Sequence, residues 1–405
     1  MANVILARID AKRTACRVEG LEWFEPLPAA AATRAGDLLF VSGQTAAEAD
    51  GRVAAADDAA AQAGEALDRL GRVVESAGGT LDDVVDVMSF HRDVRTVGAV
   101  MDVARERFRD PGPAWTAVGS VGLPAPGALV SVRAIAHLGP GAREGVTPDG
   151  AAWMRGLPLS AGARKGDLVF VSGQSGLGAD GRPSAPGDHA AQARLAYARG
   201  REVVEALGAT MDDVIDICSF HLDPRGMVPC ERVHMEVWEG VEPGAAAAWT
   251  AIGVPGLMAP GALSAYRLIA DAAPGPRVGR ASASIHWRDT PNAGASRKQG
   301  GRLVGIAGEV ASDAEGNVTT PGDTFAQARY ALRRIREVVE LHGGTMDDVV
   351  EITSFHRDPR AWEIVMEAAR EFFPEPGAGP AWTPTGATGL WNPGYLHEIY
   401  ALAVL

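Results

Sequence analysis

The sequence of 405 residues has few of the features that mark a secreted, membrane or nucleic-acid-binding protein. Its three cysteines, Cys16, Cys218 and Cys230, form no pairing framework and no CxxC motif, which predicts reduced thiols and a cytoplasmic protein. No apolar run approaches membrane-spanning length, and the N-terminus lacks the apolar core of a signal peptide. The net charge of −13 argues against nucleic acid or an anionic membrane as the main partner.

The local motifs of common catalytic sites are also absent from the sequence. There is no G-x-x-x-x-G-K-[ST] phosphate loop, and no serine stands in a nucleophile-elbow pattern. The nine histidines form no H-x-x-x-H pair and no Cys/His cluster with ligand spacing. We therefore expect neither a metal nor another cofactor.

Two motifs return three times in the same order, roughly 130 residues apart. The first is an apolar stretch that ends in Ser-Phe-His, and the second is the turn Pro-Ala-Trp-Thr or Ala-Ala-Trp-Thr. Their repeated residues are His91, His221 and His356, then Trp115, Trp249 and Trp382. A period of this length is a whole small domain, so we predict three tandem domains at 1–139, 140–276 and 277–405.

Each repeat contains the same order of predicted elements. In the first repeat, a short apolar strand at 38–44 precedes a helix near 57–77 with its apolar residues on one face. The Ser-Phe-His strand, a second helix near 95–108 and a closing pair of strands follow. The order β-β-α-β-α-β-β predicts an α+β fold in which each repeat is a mixed sheet with two helices on one face.

The motifs of each repeat resemble those of the RidA (YjgF) family. The similar segments are Val-Ser-Gly-Gln at 41–44, Ala-Gln-Ala at 61–63 and the closing strand Leu-Val-Ser-Val-Arg-Ala-Ile-Ala at 129–136. Members of that family are usually single domains that form homotrimers around a central barrel, with small-molecule clefts between subunits. The resemblance implies that this chain is a fused pseudo-trimer with clefts between repeats 1/2, 2/3 and 3/1. We expect it to be a monomer in solution.

The residues that the family uses for imine and enamine deamination are changed in this sequence. Active members have an arginine in a Pro-Ala-Arg turn, which pairs with the substrate carboxylate. The matching residues here are Trp115, Trp249 and Trp382. The family's water-positioning glutamate falls on Ser131, Ala265 and Glu398, and its aromatic residue before the first strand maps near Ala29, Leu159 and Gly294. Only the third repeat keeps the glutamate. Because tryptophan replaces the arginine in all three repeats, we do not expect the standard 2-aminoacrylate deaminase activity.

The repeated tryptophan and histidine each allow two interpretations. The tryptophans either pack the interface between repeats or offer a stacking wall to an aromatic, planar or cationic ligand. The histidines either serve as acid–base groups or ligand contacts, or they are hydrogen-bonded to the aspartate two residues on or to a backbone carbonyl. Ser42 and Ser172, in the Val-Ser-Gly-Gln motif, are candidate cleft-lining hydroxyls.

The leading hypothesis is a divergent, cofactor-independent RidA-like enzyme that acts on an imine, an enamine or a related small metabolite. Glu398 and His356 are its candidate catalytic groups, and Trp382 is its stacking wall. The other binding candidates are Trp115, Trp249, His91, His221, Ser42 and Ser172. The alternative is a non-catalytic pseudo-trimer that binds a planar or cationic ligand, and a third possibility is that tryptophan fills all three clefts.

Overall fold

A computed structural model describes residues 13–405, so the first twelve residues of the predicted domain 1–139 lie outside it. The elements fall into three sets of identical order, which we call repeats 1, 2 and 3. Repeat 1 contains β1 (Thr14–Cys16), β2 (Ala32–Ala35), β3 (Leu38–Gln44), α1 (Ala59–Ser76), β4 (Val84–His91), α2 (Val97–Arg105), β5 (Ala114–Gly119) and β6 (Val130–His137).

Repeats 2 and 3 reproduce that order. Repeat 2 contains β7 (Glu144–Val146), β8 (Gly162–Lys165), β9 (Leu168–Ser175), α3 (His189–Ala206), β10 (Val214–His221), α4 (Met227–Val237), β11 (Ala248–Gly253) and β12 (Ser264–Asp271). Repeat 3 contains β13 (Arg277–Arg280), β14 (Ala295–Lys298), β15 (Leu303–Glu309), α5 (Thr324–Glu340), β16 (Val349–His356), α6 (Trp362–Ala369), β17 (Ala381–Gly386) and β18 (His397–Val404).

Each repeat forms one mixed six-stranded sheet with its helices packed on one face. The strand order in repeat 1 is β1-β2-β3-β6-β4-β5, in which only β4 and β5 run parallel. The first strand of each repeat (β1, β7 or β13) was not predicted from the sequence. These strands have only three or four residues, and only their pairing with the next strand defines them. The α+β prediction of three similar domains is confirmed.

The helices begin where the capping residues predict. Asp58, Asp188 and Asp323 accept backbone N–H groups of the first turn of α1, α3 and α5. The apolar face of α1 is buried against the sheet, with Leu67, Leu70 and Val74 fully covered. Among the helices of residues 13–405, none combines the length and the apolarity needed to cross a membrane.

The opposite faces of the three sheets meet in a common core on a pseudo-threefold axis. Phe355 packs edge-on against both Phe90 and Phe220, with ring centroids 6.3 Å apart in each pair. Single bridges such as Ala114↔Ser160 connect neighbouring repeats. In the described part of the chain the hydrogen-bonded ladders remain three separate sheets joined by isolated bridges, so the central barrel implied by the family resemblance is not closed by continuous hydrogen bonding.

A buried ionic network on this axis links the repeats in a cycle. Arg133 of repeat 1 lies 2.9 Å from Glu351 of repeat 3, and Arg267 of repeat 2 lies 2.7 Å from Asp86 of repeat 1. Repeat 3 closes the cycle differently, because its equivalent residue is Tyr400, whose hydroxyl donates to Asp216 Oδ2 over 2.9 Å. Every repeat therefore contacts the one before it through its closing strand.

Candidate functional site

Three clefts lie between neighbouring repeats, and we name them by the repeats that form them. In cleft 1/2 strand β5 packs on β9, in cleft 2/3 strand β11 packs on β15, and in cleft 3/1 strand β17 packs on β3. Each cleft is therefore formed by the strand that carries the Trp-Thr pair of one repeat and by the third strand of the next repeat, which is β9, β15 or β3. This arrangement decides which predicted site residues meet.

Ser42 and Ser172 hold these interfaces together. The backbone N–H of Trp115 donates to Ser172 Oγ and that of Trp382 donates to Ser42 Oγ, each over 2.8 Å. Both hydroxyls in turn donate to backbone carbonyls within their own repeats, over 2.6 Å. The hydroxyl groups are thus engaged in the packing between repeats, and Ala307 occupies the equivalent position in repeat 3.

The repeated histidines lie behind the repeated tryptophans. Indole Nε1–H of Trp382 donates to Ser354 Oγ over 2.8 Å, and the same hydroxyl lies 2.8 Å from Nε2 of His356. The other two repeats have the same arrangement around Ser89 and Ser219. The predicted partners of the histidines, Asp93, Asp223 and Asp358, instead cap the turns that follow.

Complete burial keeps these histidines neutral. The pKa is lowered to about 4 for His91 and to about 3 for His221 and His356, chiefly because burial penalises the imidazolium. None of the three is among the described residues that line a cleft cavity. Their geometry is that of structural hydrogen-bonding groups.

Glu398 and Trp382 do not share a cleft, contrary to the pairing assumed from the sequence. Glu398 lies opposite Phe355 on the axis-facing side of the repeat 3 sheet, whereas Trp382 lies beside Ile352 on the helix-facing side. Because side chains alternate across a strand, the two residues reach different neighbours. Glu398 lines cleft 2/3 together with Trp249, and Trp382 lines cleft 3/1.

The three clefts differ in size and chemistry. Cleft 1/2 is almost closed, with a cavity of about 10 Å³ beside Trp115 and Met258. Cleft 3/1 has a cavity of about 260 Å³ with a largely apolar lining, and Ser131 takes the place of the glutamate. Cleft 2/3 has a cavity of about 280 Å³ and contains Glu398.

A second tryptophan enters each cleft from the segment before the second strand of the following repeat. These residues are Trp23 in cleft 3/1, Trp153 in cleft 1/2 and Trp287 in cleft 2/3. These tryptophans were not among the predicted site residues, although a tryptophan recurs in each repeat ahead of the strand that carries Ser42, Ser172 or Ala307. The residue predicted for the family's aromatic position in repeat 3, Gly294, was also wrong by two residues. The bridge Ala248↔Ala293 corresponds to the bridges Ala30↔Ala381 and Ala114↔Ser160, so Asn292 is the equivalent of Ala29 and Leu159.

The Glu398 carboxylate is held tightly at the floor of cleft 2/3. Glu398 is only 5% exposed, and it accepts the backbone N–H of Ala251 from repeat 2. It packs directly on Gly308, where a Cβ would overlap the carboxylate. Burial, with a contribution from the nearby Glu309, raises the pKa of Glu398 to about 8. A carboxyl group with that pKa can exchange protons near neutral pH.

Trp249 forms one wall of this cleft and is supported from behind by His234. The two rings stack with centroids 4.2 Å apart and an interplanar angle of 14°. His234 Nδ1 lies 2.5 Å from the Tyr197 hydroxyl, and its Nε2 lies 2.6 Å from Asn292 Oδ1. Burial lowers the pKa of His234 to about 4, so the imidazole is neutral and links the wall to Asn292 in the cleft.

Comparison with known proteins agrees with this architecture. The family model described as "Endoribonuclease L-PSP" matches residues 28–138, 155–270 and 295–405. The chain belongs to the Endoribonuclease L-PSP family. The resemblance to the RidA (YjgF) proteins is confirmed, and the family domain is present in three tandem copies.

Similarity to individual proteins covers either a part of this chain or its fold. The RutC family protein YjgH of Escherichia coli (strain K12) is 49% identical over 65 residues, which are 16% of this chain and 48% of that protein. The match therefore spans about half the length of that relative. A solved chorismatase structure covers 80% of this chain and 93% of its own with a TM-score of 0.55 at 16% identity, a likeness of fold. A YjgF-family structure from Mycobacterium tuberculosis is 32% identical and covers 31% of this chain and 98% of its own, with a TM-score of 0.27.

Several side chains that occur in just one of the three repeats lie at cleft 2/3. From repeat 3 come Trp391, Tyr395 and Glu398, where repeat 1 has Pro124, Ala128 and Ser131 and repeat 2 has Met258, Ala262 and Ala265. From repeat 2 come Glu231 and His234, where the other repeats have Met101 and Ala104 or Met366 and Ala369. The residues peculiar to repeat 2 and those peculiar to repeat 3 thus lie around the same cavity.

The cleft offers carboxyl groups, aromatic rings and an amide. In residues 13–405 no group of three or more His, Cys, Asp or Glu side chains is arranged to hold a metal ion. The chemistry available to cleft 2/3 is therefore proton transfer at Glu398 and stacking on its aromatic walls.

Proposed function

We propose that the chain is an enzyme whose working site is cleft 2/3, where Glu398 acts as general base in the hydrolysis of a small imine or iminium compound. The observation that carries the proposal is the isolated, buried Glu398 beside an open cavity, at a position where the other two repeats have Ser131 and Ala265. Its raised pKa suits a group that accepts a proton at neutral or slightly alkaline pH.

The proposed step needs only water and the carboxylate. Glu398 takes a proton from a water molecule as the water oxygen forms a bond to the imine carbon, and the C=N π electrons move to nitrogen. For a neutral imine, Glu398 delivers this proton to the nitrogen, which gives a carbinolamine with one hydroxyl and one amino group. Glu398 then takes the hydroxyl proton as the C=O double bond forms, the C–N bond breaks with its electrons leaving on the nitrogen, and this second proton passes to the nitrogen. The products are a ketone or aldehyde and ammonia, and an iminium, which carries one more proton, gives ammonium.

The lining of the cleft also bears on which substrates fit. Trp249 stands where an arginine would pair with a substrate carboxylate, and Glu231 adds a second acidic group. No lysine or arginine is among the described lining residues of clefts 2/3 and 3/1. Because RNA binding depends on such cations, the proposal does not extend to RNA cleavage.

The test is ammonia release from freshly generated imines by the purified protein and by Glu398→Gln, which keeps the size of the side chain. We expect the variant to lose roughly 100-fold or more of the rate, the usual contribution of a general base. Glu363→Gln, an exposed carboxyl at cleft 3/1, is the matched control and should retain full activity. No turnover by the wild-type protein on any imine would refute the proposal and favour a non-catalytic binding protein.

We also propose that the chain is a monomer, since its three repeats already complete the cycle of interfaces. Light scattering should give a mass near 42.2 kDa. A mass near three times that value would contradict this.

A further inference from the structure

We propose that cleft 2/3 recognises a small planar organic cation, an amidinium or iminium without a carboxylate, between its aromatic walls and its acidic floor. This inference deepens the proposed function, because it names the substrate class of the same cleft. It rests on the aromatic lining, the acidic lining and the contrast with cleft 3/1.

The aromatic lining comes from both repeats. Trp249 belongs to repeat 2, and Trp287, Trp391 and Tyr395 belong to repeat 3. One face of Trp249 is covered by His234, so the ring presents its other face to the cavity that it lines. A cation over such ring faces is attracted by the ring electrons, and a flat cation can also stack on them.

The cavity is lined by two acids, Glu398 and Glu231, and by no lysine or arginine. Burial raises the pKa of both carboxyl groups, and the neighbouring Arg232 partly opposes that rise at Glu231. His286 is neutral, because burial and the nearby Arg334 lower its pKa. Glu309, behind Glu398, adds a further acidic group.

Arg334, a buried cation close to His286 and Glu309, is already engaged elsewhere. Arg334 hydrogen-bonds to Ser284 and to the backbone carbonyl of Ser312, and its Nε lies 3.6 Å from Glu309. It is not among the residues that line cleft 2/3. A cationic ligand would therefore meet a carboxyl floor, to which an amidinium can present two parallel N–H donors.

Cleft 3/1 serves as an internal comparison of nearly equal volume. It has Trp382 and Trp23 in the positions of Trp249 and Trp287, but Pro124 and Ser131 replace Trp391 and Glu398. Cleft 3/1 also has aromatic residues and two carboxyl groups, Glu48 and Glu363, but both of these residues are exposed. What distinguishes cleft 2/3 is the buried carboxyl group of Glu398 at its floor, where cleft 3/1 has Ser131.

The experiment measures binding of three soluble probes of similar shape by titration calorimetry: benzamidinium, neutral benzamide and benzoate. We expect benzamidinium to bind roughly tenfold or more tightly than benzamide, and benzoate to bind more weakly than both. Glu398→Gln should remove the preference for benzamidinium while benzamide binding is retained. Trp391→Ala should weaken benzamidinium binding, and Trp362→Ala, which changes a tryptophan of cleft 3/1, should not.

Trp391 is 39% exposed, so its replacement should leave the fold intact, and a melting curve checks this. Equal or tighter binding of benzoate would overturn the inference, as would binding that is insensitive to both Glu398→Gln and Trp391→Ala. The titrations report binding to the cleft, and ammonia release from imines is measured separately. If the protein prefers benzamidinium but does not hydrolyse imines, only the proposed function is refuted. If it hydrolyses imines without that preference, only this inference is refuted.

Discussion

Trp249 stacks on His234 with ring centroids 4.2 Å apart, although the two residues come from a strand and a helix of the same repeat. Repeats 1 and 3 place alanine, Ala104 or Ala369, where repeat 2 has His234. The histidine therefore does more than fill the core, because it fixes Trp249 and bonds to Asn292 of the next repeat.

Replacing His234 should separate these two effects. His234→Phe keeps the stacking partner but loses both hydrogen bonds, and we expect a stability loss of about 1–3 kcal/mol from the unpaired buried groups. His234→Ala also leaves a cavity behind Trp249, so benzamidinium affinity should fall further than with phenylalanine. Chemical unfolding and calorimetry on both variants test this, and equal affinity in all three proteins would contradict the supporting role.

Gly308 should control the position of Glu398. A methyl group at Gly308 would overlap the carboxylate, so Gly308→Ala should displace it and reduce kcat/KM for imine hydrolysis by roughly 100-fold. The equivalent change in cleft 1/2, Gly173→Ala, is the control, because its nearest contact would be Thr116 Cγ2 at 3.0 Å and no carboxylate is present. Similar kinetics for both variants would show that the glycine does not position the base.

Benzamidinium binding should strengthen as the pH rises. The probe stays cationic, while Glu398, with a pKa of about 8, is mostly protonated at pH 6 and ionises on the way to pH 8. We expect affinity to rise by up to roughly tenfold per pH unit below pH 7 and to level off above about pH 8. Glu231, Glu309 and His286 also lie in or beside the site. We therefore assign to Glu398 only the part of the pH dependence of affinity that is absent from the Glu398→Gln variant. A flat profile in the wild type would contradict the assignment.

Tyr400 should stabilise the axis network more at high pH than at low pH. Burial raises the pKa of Asp216 to about 7, above its unfolded value, so its contribution to stability declines as the pH rises from about 4 to about 7. Tyr400→Phe removes a donor to the ionised form and raises that pKa further. The variant should lose about 1 kcal/mol at pH 5 and about 1.5–3 kcal/mol at pH 8.

Denaturant unfolding at the two pH values measures the effect of Tyr400→Phe. Tyr330→Phe, a half-buried tyrosine of α5, is the control and should change stability by less than about 0.5 kcal/mol. A loss that is larger at pH 5 than at pH 8 would be inconsistent with a hydrogen bond to ionised Asp216.

A substitution at Ser354 tests whether His356 has only a structural role. Ser354→Ala leaves Trp382 Nε1 and His356 Nε2 without their shared partner, which should cost about 1–3 kcal/mol of unfolding free energy. Imine hydrolysis should be unchanged, because His356 does not line cleft 2/3. A loss of activity in a variant with unchanged stability would instead restore His356 as a catalytic candidate.

The sequence determined the repeat, the order of most elements and the helix starts, because these depend on local periodicity and capping. Asp188 and Asp323 were readable as N-caps since a capping interaction spans only a few residues. The three-residue strand β1 was not readable, because only its pairing with β2 defines it. The glutamate position was also readable: Glu398 was the one copy with a carboxyl group.

Which residues share a cleft was decided only by the tertiary structure. Trp382 and Glu398 are near each other in sequence, but the alternation of side chains puts them on opposite faces of one sheet. The partners of Glu398 are Trp249 and Glu231 of the preceding repeat, well over a hundred residues away in the chain. Sequence periodicity carries information about one element at a time, whereas a site between repeats depends on how three sheets pack around their common axis.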